Sequence, residues 1–528
     1  MKDLQRAISG KRDHLKIRHD FAHGEQLGPD LAYFVGPKPK KTDPERVKEF
    51  ETVVGTDDVI GPCMRRITNA IVGRDPEWSL QHGDLSVSFE PKEGKALTEE
   101  QTRVISSLEA LEEAGGDWHL AVNLQAKLAQ AHYISQWAGE AFVRLYLPEE
   151  LSRLDPDFEP PGELSEDELE EVNPALTQGS LESVAAALER TYLEVYDPRH
   201  AGEVRSVNGV LRGLYFLYKR DDQDYVEYHT PAAIIHYKRN GDKLEEVSRY
   251  DSPYAEHNRG RYRGRKFMMI RLEREGGPAL TDDLMQKQSR LNAVLTNGNR
   301  NDHFSGYRSV ITTNADPVTK LNAKGEEEDV EWKLAPDIVT ELVGLPLELD
   351  AEGNPTRYAT PGVHVIEPVN PEYNLKWAAN WEERCYATLD QRHIYLGMNA
   401  GLAVEAQLEM RGPFDERAVK ESGPVALLLN TTVERALEFA QWLAKGDALE
   451  VRCVARMFVK VLRGNLEEFK AQIDAYSRGL ASIETVVESN PSVTDVAGER
   501  KRVEKMQEDK RERERVEIEA LALTSRAA

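Results

Sequence analysis

Three histidines near the start of the chain, His14, His19 and His23, are the first residues whose type and spacing suit chemistry. On a helix some of them would share a face, where neutral imidazoles can ligate a metal. With thirteen histidines in 528 residues, the same cluster also arises as plain surface of an N-terminal arm, and no metal or cofactor is expected. The adjacent carboxylate pairs Asp57 and Asp58, and Glu382 and Glu383, cannot face each other on a helix, so they read as solvent-facing rather than as an acid–base pair. The chain lacks the glycine-rich phosphate loop that ends in Gly-Lys-Ser/Thr, GxGxxG after a strand, HExxH, GxSxG and the EF-hand pattern. An enzyme is therefore not expected, although a hydrolase or nuclease built from dispersed Asp, Glu and His would leave no local motif. Cys63, Cys385 and Cys453 are far apart and form no CxxC pair, which fits buried thiols.

The bulk properties describe what must position such residues. The length is beyond the size of a single hydrophobic core, and 40% hydrophobic with 30% charged residues is a globular composition with much wet surface. No apolar run approaches the roughly 18 residues of a membrane span, and the first residues lack the apolar centre of a signal peptide, so a cytoplasmic protein is expected. The net charge of −24 argues against a protein that clamps nucleic acid, because tight binding needs Lys and Arg to displace phosphate counterions. A channel through which DNA slides is a different case. There each strong phosphate contact is a brake, and an acidic molecule with sparse cations suits transit.

The element pattern is α+β and mainly helical. The opening is basic and reads as loosely held to about Pro44, followed by a helix whose apolar stripe is Ile60, Met64, Ile67 and Ile71. Helices are predicted over about 98–114 and 118–137, then a strand in EAFVRLYLP. Residues 151–177 are rich in Asp, Glu and Pro and read as a solvated insertion. From Thr191 to Leu272, short β-rich pieces separated by polar turns predict antiparallel sheet; within them EHNRGRYRGRK is basic and reads as an exposed hairpin tip in preference to a nucleic-acid contact.

Thr281 is placed as the N-cap of a helix that ends near Gly298, with Asp282 and Asp283 in its first turn. Residues 307–369 form an irregular module with strand candidates GYRSVITTN, VEWKLAP and GVHVIEPV. A return helix starts near Pro371 and stops at Gly397; a mixed segment follows, and then a strong helix with Ser422 as its N-cap. The chain closes in GERKRVEKMQEDKRERERVEIEALAL, whose mixed charges suit an exposed helix.

Taken in order, MRRITNAIVGRDPEW, LTDDLMQKQSRLNAVLTNGNRNDHFSGYRSVITTN, PGVHVIEPVNPEYNLKWAANWEERCYATLDQRHIYLG, SGPVALLL and YSRGLASIETVVESNP with VAGERKRVEKMQEDKRERE resemble the portal (head-tail connector) family of tailed bacteriophages. The resemblance rests on the order of these segments, no one of which is diagnostic. Pro424 departs from it, since the family's Ser-Gly helix start does not usually continue with proline, though proline is acceptable in a first turn.

The resemblance implies a wing over residues 1–280, a first stem helix at 281–303, a clip at 304–370 and a second stem helix at 371–396. A tunnel loop would follow at 397–421, a long wing helix with wing completion at 422–469, and a helical C-terminal crown at 470–528. The implied function is a ring of about twelve subunits that forms the channel for double-stranded DNA packaging and ejection at one capsid vertex. It would work with terminase, head-tail adaptors, and major capsid and scaffold proteins, in the virion and, during assembly, in the host cytoplasm. By the same resemblance, Glu405, Gln407, Glu409, Arg411 and Lys420 are candidates for facing DNA, with Arg411 and Lys420 the phosphate contacts; a role in subunit contacts is the alternative. Lys320, Lys324, Glu326 and Glu327 are candidates for clip docking, with a plain solvated loop as the alternative. Rival readings of the whole chain are a virion adaptor without DNA contact and the enzyme with a dispersed site.

Overall fold

The computed structural model describes residues 2–9, 12–26, 48, 51, 54–89, 97–146, 181–220, 222–241, 243–261, 264–305, 309–316, 319–321, 327–329, 343–350, 354–366, 370–397, 404–444 and 450–459. The protein is a mixed helix and sheet structure, 50% helical and 25% strand. The acidic segment 151–177, the strand candidate VEWKLAP and everything assigned to the crown lie outside the described residues. The helices are α1 (Lys2–Ser9), α2 (Arg12–Ala22), α3 (Ile60–Val72), α4 (Glu99–Ala121), α5 (Leu124–Ala138), α6 (Leu181–Glu189), α7 (Ala255–Asn258), α8 (Asp282–Ser305), α9 (Pro371–Thr388), α10 (Arg392–Gly397) and α11 (Val404–Leu443). Two compact units divide the chain: residues 1–28, 58–286 and 383–528 form the first, 29–57 and 287–382 the second.

In the first unit, β3 (Glu140–Tyr146) lies between β10 (Met269–Glu273) and β4 (Tyr192–Tyr196), all antiparallel. A five-stranded antiparallel meander follows the chain through β5 (Ala201–Arg205), β6 (Leu211–Arg220), β7 (Gln223–His229), β8 (Ala233–Asn240) and β9 (Lys243–Asp251). The β-rich texture after Thr191 is thus antiparallel as predicted, but it is shared between two sheets. A third sheet sets β1 (Glu77–His82) between β2 (Leu85–Ser86) and β19 (Arg452–Arg456). Sequence reading missed β19, because its alternation is carried by only Cys453, Val454 and Ala455 among arginines.

Within the opening segment, residues 2–9 and 12–22 are helical rather than loosely held, and residues 27–44 lie outside the described residues. Leu4 and Ile8 of α1, one helical turn apart, are buried with Val204, Tyr215, Val226, Ile235 and Tyr237 of the five-stranded sheet, and Tyr215 donates its hydroxyl to the Ala7 carbonyl. Burying each such aliphatic side chain is worth roughly 1.5–3 kcal/mol, enough to hold a short helix whose sequence otherwise looks basic and polar. The stripe Ile60, Met64, Ile67 and Ile71 is buried on α3 as its spacing predicted.

Two places where helices were expected to end, after residue 114 and near Gly298, lie inside longer helices. Helix α4 starts at the Thr98 capping box, where Thr98 and Gln101 satisfy each other's backbone N–H groups, and it continues through Gly115 to Ala121. A Cβ at Gly115 would lie 2.6 Å from the Trp78 ring, so the glycine makes room for β1. The break falls at Asn123, whose left-handed backbone (φ 50°) and side-chain bond to the Ala126 N–H begin α5.

In the second unit Gly298 lies inside α8, where a Cβ would stand 3.5 Å from the Asn374 side chain, and the helix runs on to Ser305. Gln288, Asn292 and Thr296, spaced four apart along α8, hold residues 55–57: Asn292 accepts from the Asp57 N–H, Thr296 from the Gly55 N–H, and Gln288 donates to the Asp57 carbonyl. This unit also carries four antiparallel strand pairs. They are β11 (Ser309–Thr313) with β18 (Gly362–Ile366), β12 (Ala315–Asp316) with β15 (Val343–Gly344), β13 (Thr319–Leu321) with β14 (Glu327–Asp329), and β16 (Pro346–Leu349) with β17 (Pro355–Tyr358).

The return helix starts at Pro371 as expected but breaks before Gly397. Asp390 has a left-handed backbone (φ 59°), and Gln391 is buried, donating to the Cys63 carbonyl and accepting from Arg66. The largest departure is α11. It spans forty residues without a break at Ser422, whose hydroxyl bonds back to the Val419 carbonyl, and both Pro413 and Pro424 lie inside it. Each interior proline costs about 3 kcal/mol. Burial of Phe414, Ala418, Val425, Leu428, Leu429, Val433, Ala436, Leu437 and Ala440 along the same helix offsets that cost.

Candidate functional site

Helix α11 carries the candidates for facing DNA, so the segment expected as a loop at 397–421 is helical from Val404 onward. Glu405, Gln407 and Glu409 lie in the first turns of that helix, and their side chains lie outside the described residues. Arg411 is committed within the protein: its Nε is 3.1 Å from the Asp415 carboxylate and its guanidinium stands 5.8 Å from the Phe414 ring centre. Lys420 is different. Its side chain is 70% exposed and, among the described residues, reaches only the similarly exposed Glu275, at 3.6 Å. Pro413, Glu416, Val419, Lys420, Gly423 and Leu427 recur at three- and four-residue intervals and form one exposed stripe of the helix.

The opposite side of α11 carries Glu421, which motif reading passed over. Its carboxylate, 8% exposed, accepts from Arg274 at 2.6 Å, Arg417 at 2.8 Å, His132 Nε2 at 3.1 Å and the Gln136 amide. Arg417 also donates to the Leu389 carbonyl and to Gln136 Oε1, tying α11 to α5 and to the break after α9. Burial by itself raises the pKa of a carboxyl group. Here the His132 hydrogen bond and the charges of Arg417 and Arg274 outweigh it and hold Glu421 well below the usual carboxylate range. The one sequence signal was the Arg417/Glu421 spacing of four.

A cavity of about 530 Å³ opens beside this cluster, lined in part by His132, Arg274, Asp390, Arg417, Lys420 and Glu421. Thr68 Oγ1 lies 2.8 Å from His132 Nδ1, so Thr68, His132 and Glu421 are connected like a nucleophile, base and orienting acid. Two observations oppose that use. Thr68 is 4% exposed and is not among the described residues that line the cavity, so no substrate reaches its hydroxyl from there; and Glu421 is saturated by four donors. The arrangement holds helices together.

A second charged cluster is deeper. Arg144 of β3 and Glu227 of β7 form an ion pair, with His229 Nε2 on the same carboxylate and the Tyr146 ring 3.9 Å from the guanidinium carbon. Burial opposes ionisation of Glu227, but the Arg144 charge and the His229 bond hold it at about 2. Burial pushes His229 down, so its imidazole is neutral and serves as a donor.

The other sequence candidates do not converge on one site. Lys320 and Glu327 both lie on the β13/β14 hairpin, where Lys320 stands opposite Glu328 and Glu327 opposite Leu321, whereas Lys324 and Glu326 lie outside the described residues. His14 approaches Asp282, while His19 and His23 stack with ring centres 4.0 Å apart, so the three histidines do not gather around one point. Glu382 and Glu383, expected to face solvent, are half-buried: burial and the Asp57 charge raise Glu382, and Glu383 binds Arg392 at 2.6 Å. In EHNRGRYRGRK, Asn258 is buried, Arg265 donates to the Leu211 carbonyl and Lys266 pairs with Glu438, which leaves Arg259 and Arg261 as the exposed cations among its described residues. This segment follows α7 and leads to β10; it is not the tip of a hairpin. The three cysteines are buried free thiols, as expected, and burial pushes Cys63 and Cys453 up to about 12.

No family model matches the chain, and no curated protein matches it. Among the described residues no helix is long and apolar enough to cross a membrane.

Proposed function

We propose that the chain is a subunit of a portal-type ring that passes double-stranded DNA through a capsid vertex. The observation that carries the reading is the succession of elements: a 24-residue helix (α8), a set of antiparallel strand pairs that share a compact unit with most of α8 and α9, the return helix α9 itself, and the 40-residue α11. That order is the one the family resemblance implies for stem, clip, stem and wing. At 1.5 Å per residue α8 is about 36 Å long, a length suited to the wall of a channel. An adaptor without a DNA path has no evident use for a hairpin unit held between two helices.

On this reading the exposed stripe of α11 is the DNA-facing candidate, and Lys420 replaces Arg411 as the leading phosphate contact, since Arg411 is held by Asp415. A net charge of −24 with isolated exposed cations suits sliding more than retention. The hairpins of the second unit are then the docking surface for a terminase, which supplies the ATPase, and later for head-tail adaptors. The native mass of the purified chain tests this. A single closed species of about twelve chains is expected, and a monomer or dimer that persists with scaffold protein present contradicts it.

A further inference from the structure

The end of α2 holds a second cluster that the channel reading does not use. His19 and Asp20 lie in the last turns of the helix, and His19 Nδ1 is 3.6 Å from an Asp20 oxygen. The chain then turns at Gly24, where the left-handed backbone (φ 75°) requires glycine, and the Glu25 N–H bonds the Asp20 carbonyl at 2.7 Å. This turn returns Glu25 to the two side chains that precede it. One ligand atom from each of His19, Asp20 and Glu25 lies within 4.8 Å of the others.

We propose that His19, Asp20 and Glu25 bind one divalent first-row metal ion, zinc in the first instance. One imidazole and two carboxylates make a nitrogen–oxygen ligand set, and three protein ligands leave coordination positions for water or an exogenous anion. Bonds of roughly 2.0–2.2 Å bring ligand atoms to about 3.5 Å from one another. Glu25 is exposed, so rotation of its side chain supplies the closure. The C-terminal end of a helix carries partial negative charge, which favours a cation there.

Independent observations point to something bound. Trp137 is 1% exposed and its ring lies 5.6 Å from that of His19, yet its indole N–H has no hydrogen-bond partner among the described residues. The three ligands also line a cavity of about 920 Å³, together with Lys16, Arg199 and Arg239, so an ion and a small anion have room and countercharge. Of these cations, Arg199 is bound by both oxygens of Asp197, at 2.8 and 3.1 Å.

The test uses the tag-free full-length chain, stripped with a chelator and titrated with Co²⁺ while its visible absorption is followed, then with Zn²⁺ in a calorimeter. One Co²⁺ per chain, displaced by Zn²⁺, is expected, with affinity lowered about tenfold or more by Glu25→Gln and by Asp20→Asn, while thermal melting of the metal-free Glu25→Gln protein stays unchanged. Absence of saturable uptake below about 1 mM, or uptake that the double substitution leaves intact, overturns the site. Neither result depends on the ring.

Discussion

Arg144 and Glu227 meet inside the first unit with side-chain exposures of 1% and 0%, joining the sheet of β3 to the sheet of β7. A buried pair of this kind contributes little against a well-packed apolar replacement, but losing one partner strands the other charge. Glu227→Gln should therefore cost about 3–5 kcal/mol in urea unfolding, and replacing both residues by Met and Leu should cost less than the single change. The folded carboxyl sits at about 2, below its ordinary 4.5. The stability it contributes is present above pH 4.5 and is lost as the pH falls toward 2, so the Glu227→Gln protein should show a shallower acid loss over that window.

Gly115 and Gly116 are neighbours with opposite expected responses to alanine. At Gly115 the new methyl group would meet the Trp78 ring at 2.6 Å, whereas at Gly116 nothing lies within 4 Å. Gly115→Ala should destabilise by about 1–3 kcal/mol through overpacking, and Gly116→Ala should stabilise by about 0.5–1 kcal/mol through helix propensity. Thermal melting of the two variants decides both signs.

His393 gives a pH dependence nearer neutrality. Burial, with the charges of Arg411 and Arg66, lowers it to about 4 from 6.5. A folded value depressed below the unfolded one means that its contribution is complete above pH 6.5 and is lost as the pH falls toward 4. In His393→Gln the melting temperature should fall less between pH 6.5 and pH 4.5 than in the parent protein. A proton-detected titration of His393 near its ordinary value would contradict the assignment.

Periodic elements were legible where burial alone shaped them. The α3 stripe, the Thr281 cap, which accepts from the Leu284 N–H, and the strands Leu211–Arg220 and Ala233–Asn240 needed no tertiary information. The misses share one cause, contacts distant in sequence. The helix expected to end at about residue 114 runs on through Gly115, which faces the distant Trp78 ring, and the one expected to end near Gly298 runs on to Ser305. Asp390 breaks a helix only because Gln391 is held from α3, and Ser422 looks like a cap until α11 is seen to pack through it. Glu421 and Glu227 were hidden for the same reason, since their partners Arg274, His132 and Arg144 come from other parts of the chain.

Lys420 and Arg411 separate a DNA-facing role from a structural one on α11. Lys420→Ala should leave thermal stability within about 0.5 kcal/mol of the parent, as an exposed substitution does, while changing how much DNA the assembled heads package or retain. Arg411→Ala removes the Asp415 partner and a contact with the Phe414 ring, so it should lower the melting temperature. The reverse pattern, a destabilised Lys420→Ala with normal packaging, would place the exposed stripe between subunits.

The central claim is a ring with a channel, and negative-stain images of the purified full-length protein test it most directly. The account predicts closed rings of about twelve subunits viewed end-on, with a central hole wider than a DNA duplex. Discrete small particles without a hole, unchanged when scaffold protein is present, would contradict it.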